Sequence, residues 1–261
     1  MPITVSAHLD YETVQSCDLL LQIEAAQDDA QRCIQSSFTT TPEIGSRTIT
    51  GEDGIGTRRW LTAGPKFLCD YTATFSVDRP ATQISQLVAG KVAETPDAFT
   101  KYLMPSRYCH PEAFFALLGT RFGTLSGGVL VDAVSHWVTD TFTYDISASH
   151  AGTTATESLA SCSGVCRDYA HVLIAVLRAA GIPARYISAY APDVHPQDFH
   201  AVAEVYLEGQ WHLVDPTGMA QPKDILRIGV GRDAADVSFL TSYGSMLLKK
   251  QTVKVTRTDA T

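Results

Sequence analysis

What this 261-residue chain has little of narrows it before any motif is read. No apolar run approaches the roughly 20 residues that a membrane-spanning helix needs, so a membrane partner is not expected. The opening MPITVSAHLDYETVQSC lacks the basic stretch and following apolar stretch of a secretory leader, and a cytoplasmic location is the resulting expectation. Lys and Arg number 20 against 28 Asp and Glu, for a formal charge of −8, and the cations are scattered. Binding along a phosphate backbone needs them gathered in a stripe, so nucleic acid is not an expected partner. The six cysteines include no C-x-x-C pair, which removes the common structural zinc sites. His195, His200, His212 and Asp215 match no common zinc spacing either. Neither a metal nor a cofactor is therefore expected, and in a reducing compartment the cysteines should be free thiols.

What is present describes a chain able to bury a sizeable core, with 45% hydrophobic and 18% charged residues. From residue 3 to about 78, short runs rich in β-branched and aromatic residues are broken by Gly, Pro, Asp and Ser. Asp18 to Glu24 and Arg58 to Thr62 are two such runs. In a third, Phe67, Cys69, Tyr71, Ala73, Phe75 and Val77 take alternate positions, the period of a half-buried strand. The glycine-bearing stretch from Thr50 to Thr57 fits a hairpin connection. An all-β, sandwich-like domain is expected over 1–90, and an α+β domain over 91–261. Pro111 stands at a plausible first helical position, and Val129 to Phe142 repeats apolar residues at helical spacing. Exposed edges of the β domain leave pairing between copies, a homo-oligomer, open.

The stretch from Thr153 to Gly218 carries the chemistry. Apolar residues from Cys166 to Ala180 fall in helical register, and Gly181 followed by Ile182-Pro183 ends that helix. Three strands should follow: Ala184 to Tyr190, His200 to Leu207, and Gln210 to Asp215, the last two joined by a turn at Glu208-Gly209. A thiol opening a helix feels the positive end of the macrodipole, which favours thiolate, and the free N–H groups there can hold an oxyanion. Cys166 thus suits a nucleophile, although a cysteine is more often a small buried hydrophobe. If the hairpin pairs symmetrically, residues near 203 oppose residues near 214, and Asp215 falls close to His200. A carboxylate there would fix the imidazole tautomer as the third member of a triad does. The plainer readings are a structural histidine and an Asp-Pro turn.

Four segments in order make the chain recognisable: Gly164-Val165-Cys166; Arg178 through Gly181-Ile182-Pro183-Ala184-Arg185-Tyr186; His200-Ala201-Val202-Ala203-Glu204-Val205; and Trp211 through Asp215-Pro216-Thr217. Together they resemble the bacterial transglutaminase-like family of cysteine proteases, which has a papain-like fold. The likeness extends to Tyr102–Cys109 upstream and Ile228–Val237 downstream, so it is strong from about 100 to 240 and looser before. It implies an α+β core, a triad of Cys166, His200 and Asp215, and cleavage of a peptide or other amide bond through an acyl-enzyme. Transfer of the acyl group to an amine, and a non-catalytic binding module on the same fold, are the alternatives. One departure is Val202, where many members carry Trp; loss of that aromatic bears on substrate preference. Asp168 and Tyr169, beside Cys166, are candidates to line the cleft, and His171 is expected to be structural.

Overall fold

Alternation of apolar and polar residues builds the amino-terminal part of the computed structural model, which describes residues 2–258. Its strands are β1 (Pro2–Thr13), β2 (Cys17–Leu21), β3 (Gln31–Thr41), β4 (Arg47–Thr50), β5 (Thr57–Ala63) and β6 (Lys66–Val77). In β6 the alternate residues Phe67, Cys69, Tyr71, Ala73 and Phe75 are buried, as the sequence pattern requires. Ile3, Val5, Ala7, Leu9 and Tyr11 do the same in β1. The two strands pair antiparallel with Ile3 opposite Phe75 and Leu9 opposite Cys69, so both apolar rows face one side.

The chain continues through single-turn helices to α1 (Phe115–Leu117), α2 (Gly127–Thr141), β7 (Thr143–Tyr144), α3 (Ala155–Ser161), β8 (Ser163–Gly164) and α4 (Cys166–Ala179). It ends with β9 (Ala184–Tyr190), β10 (His200–Leu207), β11 (Gln210–Val214), β12 (Leu226–Gly231), β13 (Leu240–Ser242) and β14 (Met246–Arg257). Around Pro111 the expected helix is a composite: a 3-10 turn at Pro111–Phe114, one α turn, and a π turn at Leu118–Phe122. Gly119 and Gly123, both poor helix formers, fall in this stretch. Among the described residues no single helix is long and apolar enough to cross a membrane.

Two four-stranded sheets, ordered β14-β1-β6-β3 and β13-β2-β5-β4, form the expected sandwich. Val5, Leu9, Leu19, Leu61, Phe67 and Tyr71 lie in its core. The division at residue 90 needs correction, because β13 and β14 return from the second region to the first. Leu240 pairs with Leu21, and Val255 with Val5. The reason is backbone valence: without them β1 and β2 would each end a sheet with an open row of N–H and C=O groups.

The second region is a four-stranded antiparallel sheet, ordered β11-β10-β9-β12, against which α4 packs. Eleven of the fourteen residues of α4 are buried, so it is a core helix and not a surface one. Leu173, Ile174 and Leu177 are wholly inside, each worth about 1.5–3 kcal/mol of transfer free energy. At its end the Gly181 N–H donates to the Arg178 carbonyl and the Ile182 N–H to the Leu177 carbonyl. That pairing needs the positive φ of 75° at Gly181. The buried Arg178 guanidinium donates to the carbonyls of Met104, Ala184 and Arg232, tying the helix end to three other segments.

Candidate active site

Position comes first. β7 and β8 pair in parallel, with Thr143 opposite Ser163 and Tyr144 opposite Gly164, which fixes the chain two residues before the nucleophile candidate. Asp168, wholly buried one turn into α4, reaches back so that its Oδ2 accepts the Val165 N–H at 2.8 Å. That reach explains the glycine of Gly164-Val165-Cys166: a Cβ at 164 would lie 2.6 Å from Asp168 Oδ2 and 2.7 Å from its Cβ. Cys166 is consequently the first residue of α4, half-buried, with its N–H among those an α-helix leaves without an internal partner.

His200 opens β10, and the hairpin to β11 pairs Ala203 with Val214, the symmetric register expected from its turn. Asp215 follows directly. His200 Nε2 donates to Asp215 Oδ2 at 2.9 Å; the carboxylate can only accept, which assigns the proton to Nε2. Asp215 itself is fixed by three further donors, the Thr217 N–H (2.9 Å) and hydroxyl (2.7 Å) on Oδ1 and the Ala220 N–H (2.8 Å) on Oδ2. The second imidazole nitrogen, Nδ1, is buried, makes no hydrogen bond of good geometry, and is left for the Cys166 thiol beside it. The structure thus brings Cys166, His200 and Asp215 together, with both members of the His–Asp pair sealed from solvent.

Burial works against a charged His200, but the hydrogen bond to Asp215, the neighbouring Cys166 thiol and the charges of both outweigh it and push the imidazole up to about 10. Burial likewise opposes a charged Asp215, yet His200 and the Thr217 donors hold its carboxyl below the usual range. The histidine value lies above the ordinary 6.5, so its stabilising contribution is whole below about pH 6.5 and fades as pH rises toward 10. The aspartate contributes in the opposite sense, losing its part as pH falls through the acid range. NMR should accordingly find the His200 ring still charged at neutral pH and titrating near 10. A midpoint near 6.5 would contradict the arrangement.

Other residues singled out by the sequence fall elsewhere. Tyr169 packs in the core against Phe142 and Tyr144, and Asp168 caps α4, so neither lines a cleft. His171 is wholly buried between Tyr108 and Tyr186, where burial drives its pKa well down and keeps it neutral. Val202 is wholly buried with Ile187, Leu213 and Val230. Its replacement of Trp therefore concerns packing and not a substrate-facing surface. All six cysteines are free thiols; burial pushes Cys69 and Cys109 up to about 12.

Two participants escaped the sequence reading. Glu204, within the His200–Val205 segment, accepts from Arg185 Nη2 at 2.6 Å and Arg227 Nη1 at 2.8 Å. Those arginines in turn bind Asp53 (3.0 Å) and Asp28 (2.5 Å) of the sandwich region. Arg185 also lies over the Trp211 ring at 4.1 Å, while Phe99 and Tyr102 of the connection close on the same ring. These motif residues hold the sheet bearing His200 against the β-sandwich. The other is Tyr144, opposite Gly164 in the β7–β8 pair, whose hydroxyl is a neighbour of Cys166. No local pattern announces it, since only the β7–β8 pairing brings it there.

Residues 127–216 match the model of the transglutaminase-like superfamily. An uncharacterized protein of Mycobacterium bovis (strain ATCC BAA-935 / AF2122/97) is 37% identical over 246 residues, covering 79% of this chain and 75% of that one. An uncharacterized protein of Mycobacterium leprae (strain TN) is 30% identical over 155 residues, covering 54% of each; this chain thus matches about half the length of that relative. Among solved structures, a Cytophaga hutchinsonii protein described as a "Putative Cysteine Protease" superposes with a TM-score of 0.92 at 28% identity. The match covers 100% of this chain and 92% of that one.

Proposed function

The chain belongs to the bacterial transglutaminase-like family, and from that premise we propose that it is a cysteine hydrolase cleaving a peptide or other amide bond through Cys166, His200 and Asp215. The observation carrying this reading is the buried imidazole set between the Cys166 thiol and a carboxylate fixed by four hydrogen bonds. In the charged pair, thiolate and imidazolium stabilise each other. The sulfur attacks the carbonyl carbon, a C–S bond forms, and the carbonyl electrons move onto oxygen. Collapse breaks the C–N bond as His200 gives its Nδ1 proton to the leaving amine. Water, deprotonated by the now neutral imidazole, releases the acid and restores the thiol. Asp215 keeps the ring in one tautomer and orientation throughout. The name of the Cytophaga hutchinsonii relative favours water over an amine as the acceptor.

Iodoacetamide near pH 6 tests the reading, with peptide mass mapping to locate the label. An ordinary thiol is almost wholly protonated there and reacts slowly. Cys69 and Cys109 are further protected by burial, so the internal standards are the half-buried Cys33 and Cys162. Cys166 should label at least about ten times faster than either. Equal, slow labelling of all three would remove Cys166 as an activated nucleophile.

A further inference from the structure

An attacking thiolate creates an oxyanion that needs two donors, and the N–H of Cys166 at the start of α4 is one. Tyr144 stands at the same place. Its backbone is locked by the Asp145 N–H to Gly164 carbonyl bond (2.9 Å) and the Thr143 N–H to Cys162 carbonyl bond (2.9 Å). Its ring rests against Tyr169, 6.0 Å between centroids, and its pairing opposite Gly164 sets its hydroxyl beside Cys166. Among the described residues no other group takes a hydrogen bond from that hydroxyl.

We propose that the Tyr144 hydroxyl is the second donor of the oxyanion hole, completing it with the Cys166 N–H; the inference rests on Cys166 being the nucleophile. In the resting site the phenol lies beside the Cys166 N–H, where the substrate oxygen must come. When the thiolate adds to the carbonyl carbon, the displaced phenol turns its O–H toward the new oxyanion, and the tetrahedral centre is held by two donors. Collapse re-forms the carbonyl and expels the leaving group, and the phenol keeps its proton. Burial, then the charge of the neighbouring thiol, raises the Tyr144 pKa above its ordinary 10, so the group stays a donor across the neutral range.

Tyr144→Phe tests this without emptying the site. Two reactions of Cys166 are compared: acylation by p-nitrophenyl acetate, followed as the burst of p-nitrophenolate, and alkylation by iodoacetamide. Acylation passes through an oxyanion; alkylation displaces iodide at a saturated carbon and does not. The variant should lose about 10²–10³-fold in acylation, while alkylation at a pH where the thiol is fully ionised changes by less than about 3-fold. Acylation as fast as in the native protein, or faster because the phenol merely blocks the oxyanion position, overturns the proposal and leaves the nucleophile intact. Parallel loss in both reactions also overturns it, showing a structural role. A native protein with neither fast alkylation nor a burst, matching Cys166→Ala, would instead remove the nucleophile reading on which the inference stands.

Discussion

His200→Ala should slow alkylation of Cys166 at pH 6 by about ten- to thirty-fold and cut steady-state hydrolysis of p-nitrophenyl acetate by about 10²–10⁴-fold. The two magnitudes differ for a physical reason. An ordinary thiol, at about 8.5, is ionised only to about 0.3% at pH 6, so alkylation there depends on a cationic neighbour that favours thiolate. A more basic thiolate is also more nucleophilic, with a Brønsted slope of about 0.4–0.5, which offsets part of the loss in alkylation. Turnover has no such compensation, because the acyl-enzyme also loses the base that deprotonates water. Stopped-flow burst kinetics beside the alkylation rate separates the two steps. Equal, small effects would show that His200 only packs beside the thiol.

Much of this site was legible before any coordinates. The helix from Cys166, the three strands after it and the hairpin register that carries Asp215 to His200 all follow from local signals: apolar period, Gly181 and Pro183 at a helix end, and a short turn at Glu208-Gly209. Period two likewise exposed β6. What stayed hidden is long-range. Tyr144 reaches Cys166 through a two-residue parallel pairing, too short to leave a pattern. Asp168 and Tyr169 looked like cleft residues because they are neighbours of Cys166 in sequence, but Asp168 reaches back to cap α4 and Tyr169 is buried against Phe142 and Tyr144. The return of β13 and β14 to the sandwich depends on which edges are open, a property of the assembled sheets.

Glu204→Ala should destabilise the protein by about 3–5 kcal/mol, the cost of leaving buried charges without a counter-ion. Glu204 is 2% exposed and Arg185 3%, so water cannot replace the lost carboxylate. Arg227 is left with Asp28 alone, and Arg185 with Asp53 and the face of Trp211. Denaturant unfolding would read the change as a lower midpoint at unchanged slope. Glu204→Gln should lose less, because the amide oxygen still accepts one of the arginine hydrogen bonds. A midpoint shift below about 1 kcal/mol for alanine would show that Arg185 and Arg227 find other partners. Because Glu204 shares β10 with His200, the same variants tell whether the triad geometry depends on the clamp. Fast Cys166 labelling that survives in folded Glu204→Gln would place the dependence in stability alone.

The seating of β14 beside β1 has a consequence for how the protein is made. β1 is completed by a strand made much later in the same chain, with Ile3 opposite Arg257. At about 5–20 residues per second, roughly 12–50 s of synthesis separate the two. Over that interval β1 can pair with β6, but its other edge stays open, and the chain must close a very long loop before the sheet is whole. Completion of that sheet therefore waits for β14, and until it is made β1 presents an open strand edge to neighbouring chains.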